Sequence, residues 1–386
     1  MLDSYKQYIH GDIAELPYGI EVIEEEAFAD CTVLTSIKIP SSVKEIRAKA
    51  FFKCYRLKSI DIPNSVTFIG ELAFLGCSSL TSIDIPDSVT NIGSGAFQRC
   101  SSLSCFRIPP GVMWISPLVF HDCSGLNSII IPDSVTDIGM GAFGNCVQLT
   151  SIEIPNSVIK IEEGAFADCK NLVNLNIPCG VTEIDKATFE NCSSLTSIII
   201  PHGVSKIGAK AFKGCSSLHS IEIPDTVTEI GYRAFNGCSS LHKITIPDTV
   251  TEIGDEAFMT SGIDYLKIPS GVTRIGNRTF YCCINLTAVG IPHSVTEIGQ
   301  EAFLFCLHIK SIILPNSVTK FGCDALHTEF EELGIEEKDP NIMESRLRDA
   351  RLMSLNKTIL YVPIGTGYAY RHNQFFSQFK EIIPTI

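Results

Sequence analysis

The chain has 386 residues, of which 45% are hydrophobic and 19% charged, so it carries enough apolar side chains for a large core and is not a disordered protein. Its formal net charge is -13, and no run of Lys or Arg offsets this charge, so we expect no nucleic-acid partner. No segment approaches the roughly 18–20 apolar residues that a membrane-spanning helix requires, so we expect no membrane insertion.

The N-terminal segment 1–16 is polar where a secretion signal would be apolar. Asp3, Lys6, His10 and Asp12 interrupt any apolar stretch. The absence of such a signal favours a cytoplasmic location. We interpret residues 1–16 as an N-terminal cap of the repeats that follow.

Residues 17–326 consist of a repeated unit. One copy, residues 77–99, reads CSSLTSIDIPDSVTNIGSGAFQR. Its proline recurs at intervals of 23 residues, with a single interval of 22, at Pro17, Pro40, Pro63, Pro86, Pro109, Pro132, Pro155, Pro178, Pro201, Pro224, Pro247, Pro269, Pro292 and Pro315. Such self-similarity is typical of a solenoid, in which each unit buries its apolar face against the next.

Each position of the unit predicts a structural role. Ile83 and Ile85 lie two residues apart, which predicts a strand with one buried face, and Pro86 ends that strand because it has no N–H. Ile92 turns inward on the return path, where we expect short extended or 3₁₀ segments. Phe97 represents one phenylalanine per unit, so stacked units should form a continuous internal column of rings.

A glycine often follows the return-path isoleucine. We expect a recurrent bend with positive φ at this position. Arg47, Glu162 and Asp185 occupy it in other units, so the bend does not always require glycine. The glycines are Gly70, Gly93, Gly139, Gly208 and Gly231.

The pattern C-x-x-L-x-x-I-x-I-P-x-x-V-x-x-I-G-x-x-A-F, over roughly residues 13–326, resembles the BspA-like leucine-rich repeats of bacterial surface proteins and some protozoan ones. The resemblance implies a β-rich solenoid, a right-handed leucine-rich-repeat superhelix with a parallel sheet on its concave side. Residues 360–370 resemble the terminal unit of that family, a strand followed by a short capping helix, so we interpret 358–386 as the terminal repeat and helical C-terminal cap. Family members are associated with adhesion and protein binding, which implies a cell-surface or secreted location and no catalytic residues.

The repeat lapses in the segment 327–357, which we interpret as an insertion. Residues 327–339 are acidic, and the apolar spacing of Met343, Leu347 and Ala350 predicts a helix over 343–355. This helix is either an end cap that covers the last apolar edge or an interaction element.

Twelve of the sixteen cysteines occupy one position of the repeat. They should form a ladder of buried free thiols, because parallel side chains disfavour disulfide geometry. Such a ladder favours a reducing compartment. The twelve are Cys31, Cys54, Cys77, Cys100, Cys123, Cys146, Cys169, Cys192, Cys215, Cys238, Cys283 and Cys306.

No catalytic motif is found, whether a glycine-rich phosphate loop, a G-x-S-x-G elbow or a zinc-protease helix. His219, His242 and Asp264 share one position of three consecutive units and could face a divalent metal. Nothing else in the sequence supports a ligand set. We therefore expect a protein that is not an enzyme and has no cofactor and no metal.

The variable position between the two strand isoleucines, beside a row that is mostly serine, is the best candidate for partner binding on the concave face. Neutral variation on a solvated sheet is the alternative. Trp114 is expected to face outward on the convex side, either as a contact or folded over a neighbour. The candidate residues are Arg107, Trp114, Ile130, Glu153, Asn176, Ile199 and Glu222.

The sequence thus favours a non-enzymatic protein-binding scaffold that acts through the concave face of the solenoid. A secreted or cell-surface adhesin that binds host or matrix proteins is the alternative. The two hypotheses place the chain in different compartments.

Overall fold

The chain folds into two compact units, Met1–Gly203 and Val204–Ile386. In each unit, most repeats contribute one short strand to each of two rows. We call the strands of the Ile-x-Ile segment front strands, on the side predicted to be concave, and those of the return path back strands. The computed structural model describes Tyr5 and residues 7–328, 330–350, 352–353 and 355–384.

The first unit is a parallel β-solenoid. Its front strands are β1 (Ile9–His10), β2 (Ile13–Glu15), β4 (Ser36–Lys38), β6 (Ser59–Asp61), β9 (Cys105–Arg107), β11 (Ser128–Ile130), β13 (Ser151–Ile152) and β15 (Asn174–Leu175). Its back strands are β3 (Val22–Ile23), β5 (Glu45–Ile46), β7 (Phe68–Ile69), β8 (Asn91–Ile92), β10 (Trp114–Ile115), β12 (Asp137–Ile138), β14 (Lys160–Ile161) and β16 (Glu183–Ile184). β1 pairs with β2 in antiparallel fashion, and the strand pairs that follow are parallel.

The second unit repeats this arrangement and ends in a mixed segment. Its front strands are β18 (Ser220–Glu222), β20 (Lys243–Thr245), β22 (Tyr265–Lys267), β24 (Ala288–Gly290), β26 (Ser311–Leu314), β28 (Glu332–Ile335), β29 (Ile359–Val362) and β30 (Glu381–Pro384). Its back strands are β17 (Lys206–Ile207), β19 (Glu229–Ile230), β21 (Glu252–Ile253), β23 (Arg274–Ile275), β25 (Glu297–Ile298) and β27 (Lys320–Phe321). Its helices are α1 (Pro340–Leu347) and α2 (Gly367–His372), with 3₁₀ turns at Arg348–Ala350, Leu355–Lys357 and Phe376–Gln378.

Strand register follows directly from the repeat length. Ile37 pairs with Ile60 in the front row, and Ile46 pairs with Ile69 in the back row, one repeat apart in each case. Equal spacing therefore places the same residue type at the same point of successive turns. Short extended or 3₁₀ segments were expected on the return path. The structure has extended segments there, which form two-residue parallel strands.

The predicted phenylalanine column is confirmed within each unit. From Phe28 to Phe189 the rings stack with centroids 5.1–5.9 Å apart and planes within 10° of parallel. From Phe212 to Phe303 the spacing is 5.2–5.8 Å. At the N-terminal end the Tyr5 ring meets Phe28 edge-on at 5.5 Å. The column is the centre of the core, and the rings within each run are covered on both faces by their neighbours.

The cysteine ladder lies beside this column. Eleven of its twelve members are buried and Cys31 is half-buried. Most of these thiols donate to the carbonyl oxygen of a phenylalanine in the preceding turn, as Cys54 does to Phe28 at 3.0 Å and Cys169 to Phe143 at 3.1 Å. A small apolar group with a weak donor therefore suits this position, because it fills the core and satisfies a buried carbonyl. The sixteen cysteines all lie within the described residues, and none of them is joined by a disulfide.

The predicted role of the repeat glycines is wrong. Gly70, Gly93, Gly139 and Gly231 do not have positive φ. A Cβ at Gly93 would lie 2.5 Å from the backbone nitrogen of Glu71, so glycine is needed there for the close approach of consecutive turns. Positive φ occurs two residues later instead, at Gly95 and its equivalents.

The C-terminal segment differs from the sequence prediction in two respects. The helix predicted over 343–355 spans Pro340–Leu347, because the Asp339 side chain accepts a hydrogen bond from the Asn341 N–H and proline favours the first helical position. Met343, Leu347 and Ala350 are buried, as their spacing indicates. β28 lies inside the predicted insertion and pairs with both β26 and β29, and β30 follows α2, so a strand forms the last described element. Of the acidic run, Glu329 lies outside the described residues.

Candidate functional site

The front strands expose alternate side chains, as a strand with one buried face must. In β11 the side chain of Ile129 is buried, whereas Ser128 and Ile130 face solvent. Ile130 and Ile199 are 63% and 73% exposed, which is unusual for aliphatic side chains in an ordered sheet. The front face therefore presents a variable outward row beside a row of small polar residues.

Three of the candidate residues, Glu153, Asn176 and Ile199, line one cleft of about 880 Å³ in the first unit. We call it the front cleft. Asn176 and Ile199 form a parallel bridge, so their side chains are neighbours. The lining residues are Ile131, Asp133, Ser151, Ile152, Glu153, Ile154, Pro155, Asn156, Asn174, Leu175, Asn176, Ser197, Ile198 and Ile199.

The polar side chains of the front cleft are not committed to the fold. Within the described part of the chain, neither Glu153 nor Asp133 forms an ion pair, and both side chains are exposed. No Lys or Arg lines the cleft. The cleft therefore has an anionic character and free hydrogen-bonding groups.

Ile130 directly precedes Ile131, which lines the cleft, and Arg107 occupies the equivalent outward position one turn before Ile130. Arg107 lies beside Ile130 in the register of β9 and β11. Its guanidinium donates to Asp87 Oδ1 at 2.7 Å, in an exposed ion pair with a turn residue. This pairing places a partly neutralised positive charge at one end of the row.

Trp114 faces outward from the back strand β10, as predicted. It therefore lies on the opposite row of strands from the front cleft. Its side chain is 47% exposed, and Asp137 is its register partner in β12. Met113 and Ile159 are also exposed on this side of the first unit. They replace the threonine that most repeats carry at the same position.

Glu222 lies on β18 of the second unit and is exposed. The front strands of the second unit form another cleft, of about 600 Å³, which was not predicted from the sequence. Lys243, Tyr265 and Lys267 contribute to its lining. The signal for it was the replacement of the usual serine by Lys243 and Tyr265 in consecutive turns.

The residues considered for metal binding do not form a site. His242 Nδ1 lies 3.3 Å from Asp264 Oδ1, and both side chains are exposed. Throughout the described ranges, no group of three His, Cys, Asp or Glu residues is arranged to hold a metal ion. No described helix is long and apolar enough to cross a bilayer.

Buried thiols of the ladder, such as those of Cys54, Cys100 and Cys238, are poor nucleophiles. Burial raises the pKa of Cys54 and Cys238 to about 12 and that of Cys100 well above its usual value. The reactive thiolate is therefore scarce at neutral pH. The buried cysteines contribute packing and a weak hydrogen bond to the fold.

The chain is similar to several leucine-rich-repeat proteins of known structure. A leucine-rich repeat protein from Bacteroides ovatus is 28% identical, with 91% of each chain covered and a TM-score of 0.69. A leucine rich cell surface protein from Faecalibacterium prausnitzii is 30% identical, with 83% of this chain and 88% of that chain covered and a TM-score of 0.53. A leucine-rich repeat protein from Eubacterium ventriosum, 22% identical over 82% of this chain and 90% of that chain with a TM-score of 0.53, shares the fold.

Among curated proteins, none matches the chain in sequence. The sequence profile of the BspA type leucine rich repeat region, which spans six copies, matches residues 7–127, 115–225 and 205–330. These matches cover most of the chain, and the turns of both units carry the repeat that the profile describes. The chain belongs to the family of BspA type leucine-rich-repeat proteins.

Proposed function

We propose that the chain is a non-enzymatic scaffold that binds a protein partner through its front face. The observation that carries the proposal is the contrast between the two sides of each front strand. Inward side chains such as Ile152 and Leu175 are buried in the core, whereas Glu153, Asn176 and Ile199 are exposed around one cleft and are not needed for packing. Solenoids of this kind vary their outer positions freely because the core determines the backbone.

The test compares partner capture by two charge-altered variants with capture by the native chain. The front variant combines Glu153→Lys, Ile199→Asp and Glu222→Lys. The back variant combines Lys160→Glu, Glu183→Lys and Lys206→Glu. Immobilised protein is incubated with extract of the native host, and bound proteins are quantified by mass spectrometry.

We expect the front variant to lose the proteins that the native chain retains, and the back variant to keep them. The thermal midpoints of both variants should stay near that of the native chain, because exposed substitutions usually change stability by about 0.5 kcal/mol or less. Loss of the same proteins by the back variant alone would refute the front-face proposal and direct attention to Trp114.

A surface location is a second proposal. The 30% identity to a protein described as a cell surface protein supports it and agrees with the adhesin alternative. The cytoplasmic alternative predicts no labelling of intact cells by an antibody against the chain. Surface labelling of intact host cells, lost after mild external proteolysis, would establish the surface location.

A further inference from the structure

We infer that the front cleft binds an extended segment of the partner that carries a basic side chain midway between two apolar ones. The inference rests on the proposed function and goes beyond it by naming the chemistry of the partner. It follows from the spacing of two exposed isoleucines, from the charge between them and from the uncommitted polar row beside them.

Ile130 and Ile199 provide the two apolar contacts. They occupy the same outward position of turns that are three apart, and they are the two most exposed aliphatic side chains on the front face of the first unit. Three strand spacings of about 4.8 Å separate them by roughly 14 Å. A partner that covers both must present two apolar side chains at this distance.

The surface between the two isoleucines is anionic. Glu153 and Asn176 occupy the two intervening turns in the same outward row, and Asp133 lies at the rim. No cationic side chain lines the cleft. The nearest cationic side chain in the outward row is that of Arg107, which lies next to Ile130 and forms an ion pair with Asp87. A partner cation between the two apolar side chains is therefore favoured, and a cation placed beyond Ile130 meets Arg107.

The spacing matches an extended chain and not a helix. An extended chain rises about 3.3 Å per residue and turns alternate side chains to one face, so residues i, i+2 and i+4 span about 13 Å on one side. On an α-helix, residues on one face seven or eleven apart are separated by about 10.5 or 16.5 Å. The partner pattern is thus apolar-x-basic-x-apolar, with the basic side chain directed to Glu153 and Asn176.

The small polar row gives the backbone of such a segment room to approach. Ser151, Asn174 and Ser197 lie beside the outward row and line the same cleft. Their side chains are exposed and make no hydrogen bond within the described part of the fold. They can form hydrogen bonds with the peptide groups of a segment that crosses the strands. Such hydrogen bonds add affinity that does not depend on the partner's side chains.

The experiment measures fluorescence anisotropy of labelled synthetic peptides titrated with the full chain up to millimolar concentration. The probe has the core Ile-Ser-Lys-Ser-Ile with Gly-Ser flanks. Three matched peptides carry Glu in place of Lys, Ser in place of both Ile residues, or Lys moved outside the second Ile. The protein variants are Glu153→Lys and Ile199→Asp at the cleft, with Glu183→Lys on the back strand β16 as the control.

We expect the native chain to bind the probe at least tenfold more tightly than each matched peptide, with binding weakened by added salt. Glu153→Lys should reverse the preference between the Lys and Glu peptides, and Ile199→Asp should reduce binding at least tenfold. Glu183→Lys should leave all values unchanged. The reversal is the decisive result, because a variant that had lost its fold would bind neither peptide.

Equal binding of the Lys and Glu peptides, or a probe affinity unaffected by Glu153→Lys, would overturn the inference. So would failure of every peptide to bind while the front variant still loses the proteins captured from extract. In that last case the proposed function stands and only the partner chemistry is wrong. If capture from extract is insensitive to the front variant, the proposed function fails as well.

Discussion

Replacement of Phe166 by alanine tests whether the ring column holds the solenoid together. The side chain is fully buried, and its ring stacks on Phe143 at 5.3 Å and on Phe189 at 5.8 Å. Removing a buried aromatic ring costs about 3–5 kcal/mol, and we expect the upper half of that range because two ring contacts are lost at once. The damage should stay local, since each turn contacts only its neighbours.

The assay combines equilibrium unfolding in urea with amide hydrogen exchange. Exchange should accelerate most within residues 140–195. The control is Phe68→Ala on back strand β7, whose partly exposed ring leaves a smaller cavity, so its effect should be less than half as large. A uniform rise in exchange along the whole chain after Phe166→Ala would refute the nearest-neighbour reasoning, and a loss below about 1 kcal/mol would refute the structural role of the column.

Three further predictions follow from the core. In folded protein a thiol reagent should modify first the exposed cysteines (Cys105, Cys179 and Cys323), and the eleven buried ladder cysteines only after unfolding; six or more disulfides in mass spectra would contradict the ladder of free thiols. Burial raises the pKa of Cys169 to about 12, whereas the thiol of the unfolded chain ionises near pH 9. The free energy of unfolding should therefore decrease as the pH rises from about 9 to about 12, by up to about 1.4 kcal/mol per pH unit for each such thiol, and the urea midpoint should decrease with it. A urea midpoint that stays constant over this pH range would refute the shift. Gly93→Ala should cost about 2–3 kcal/mol and Gly95→Ala about 1 kcal/mol, because only the former drives a Cβ into backbone; equal losses in thermal unfolding would contradict the close-approach argument.

The buried half of the fold could be predicted from the sequence because it is repeated. One occurrence of Ile-x-Ile is ambiguous, but the same spacing in turn after turn forces strands such as β4 and β6 into one register. The phenylalanine and cysteine positions follow for the same reason. Any residue type that recurs every 23 positions must stack on itself.

The features that the sequence did not reveal depend on contacts between turns. The need for glycine at position 93 comes from a backbone nitrogen of the preceding turn, which no local pattern encodes. Leu72 and Phe305 have positive φ although neither residue favours it. The Leu72 N–H donates to the carbonyl of Ser94 in the next turn at 2.9 Å, so pairing between turns imposes the local conformation.

The residues of the candidate site could be predicted from the sequence, but the cleft that they line could not. Variation at the outward row pointed to Glu153, Asn176 and Ile199. These residues line one cleft that contains no cationic side chain. The sequence could not show this, because it depends on which neighbouring side chains form ion pairs elsewhere, as Arg107 does with Asp87. The start of α1 was missed because the Asp339-Pro340 capping signal lies in a segment read only as acidic.

Site-specific photocrosslinking is the most direct test of the claim that partners bind the front face. A benzophenone amino acid replaces Asn176 on the front face in one sample and Glu183 on the back strand β16 in another, and each protein is irradiated in extract of the native host. We expect covalent adducts with one or a few host proteins from position 176 and none of these from position 183. Adducts formed from position 183 alone, or equally from both positions, would contradict the claim.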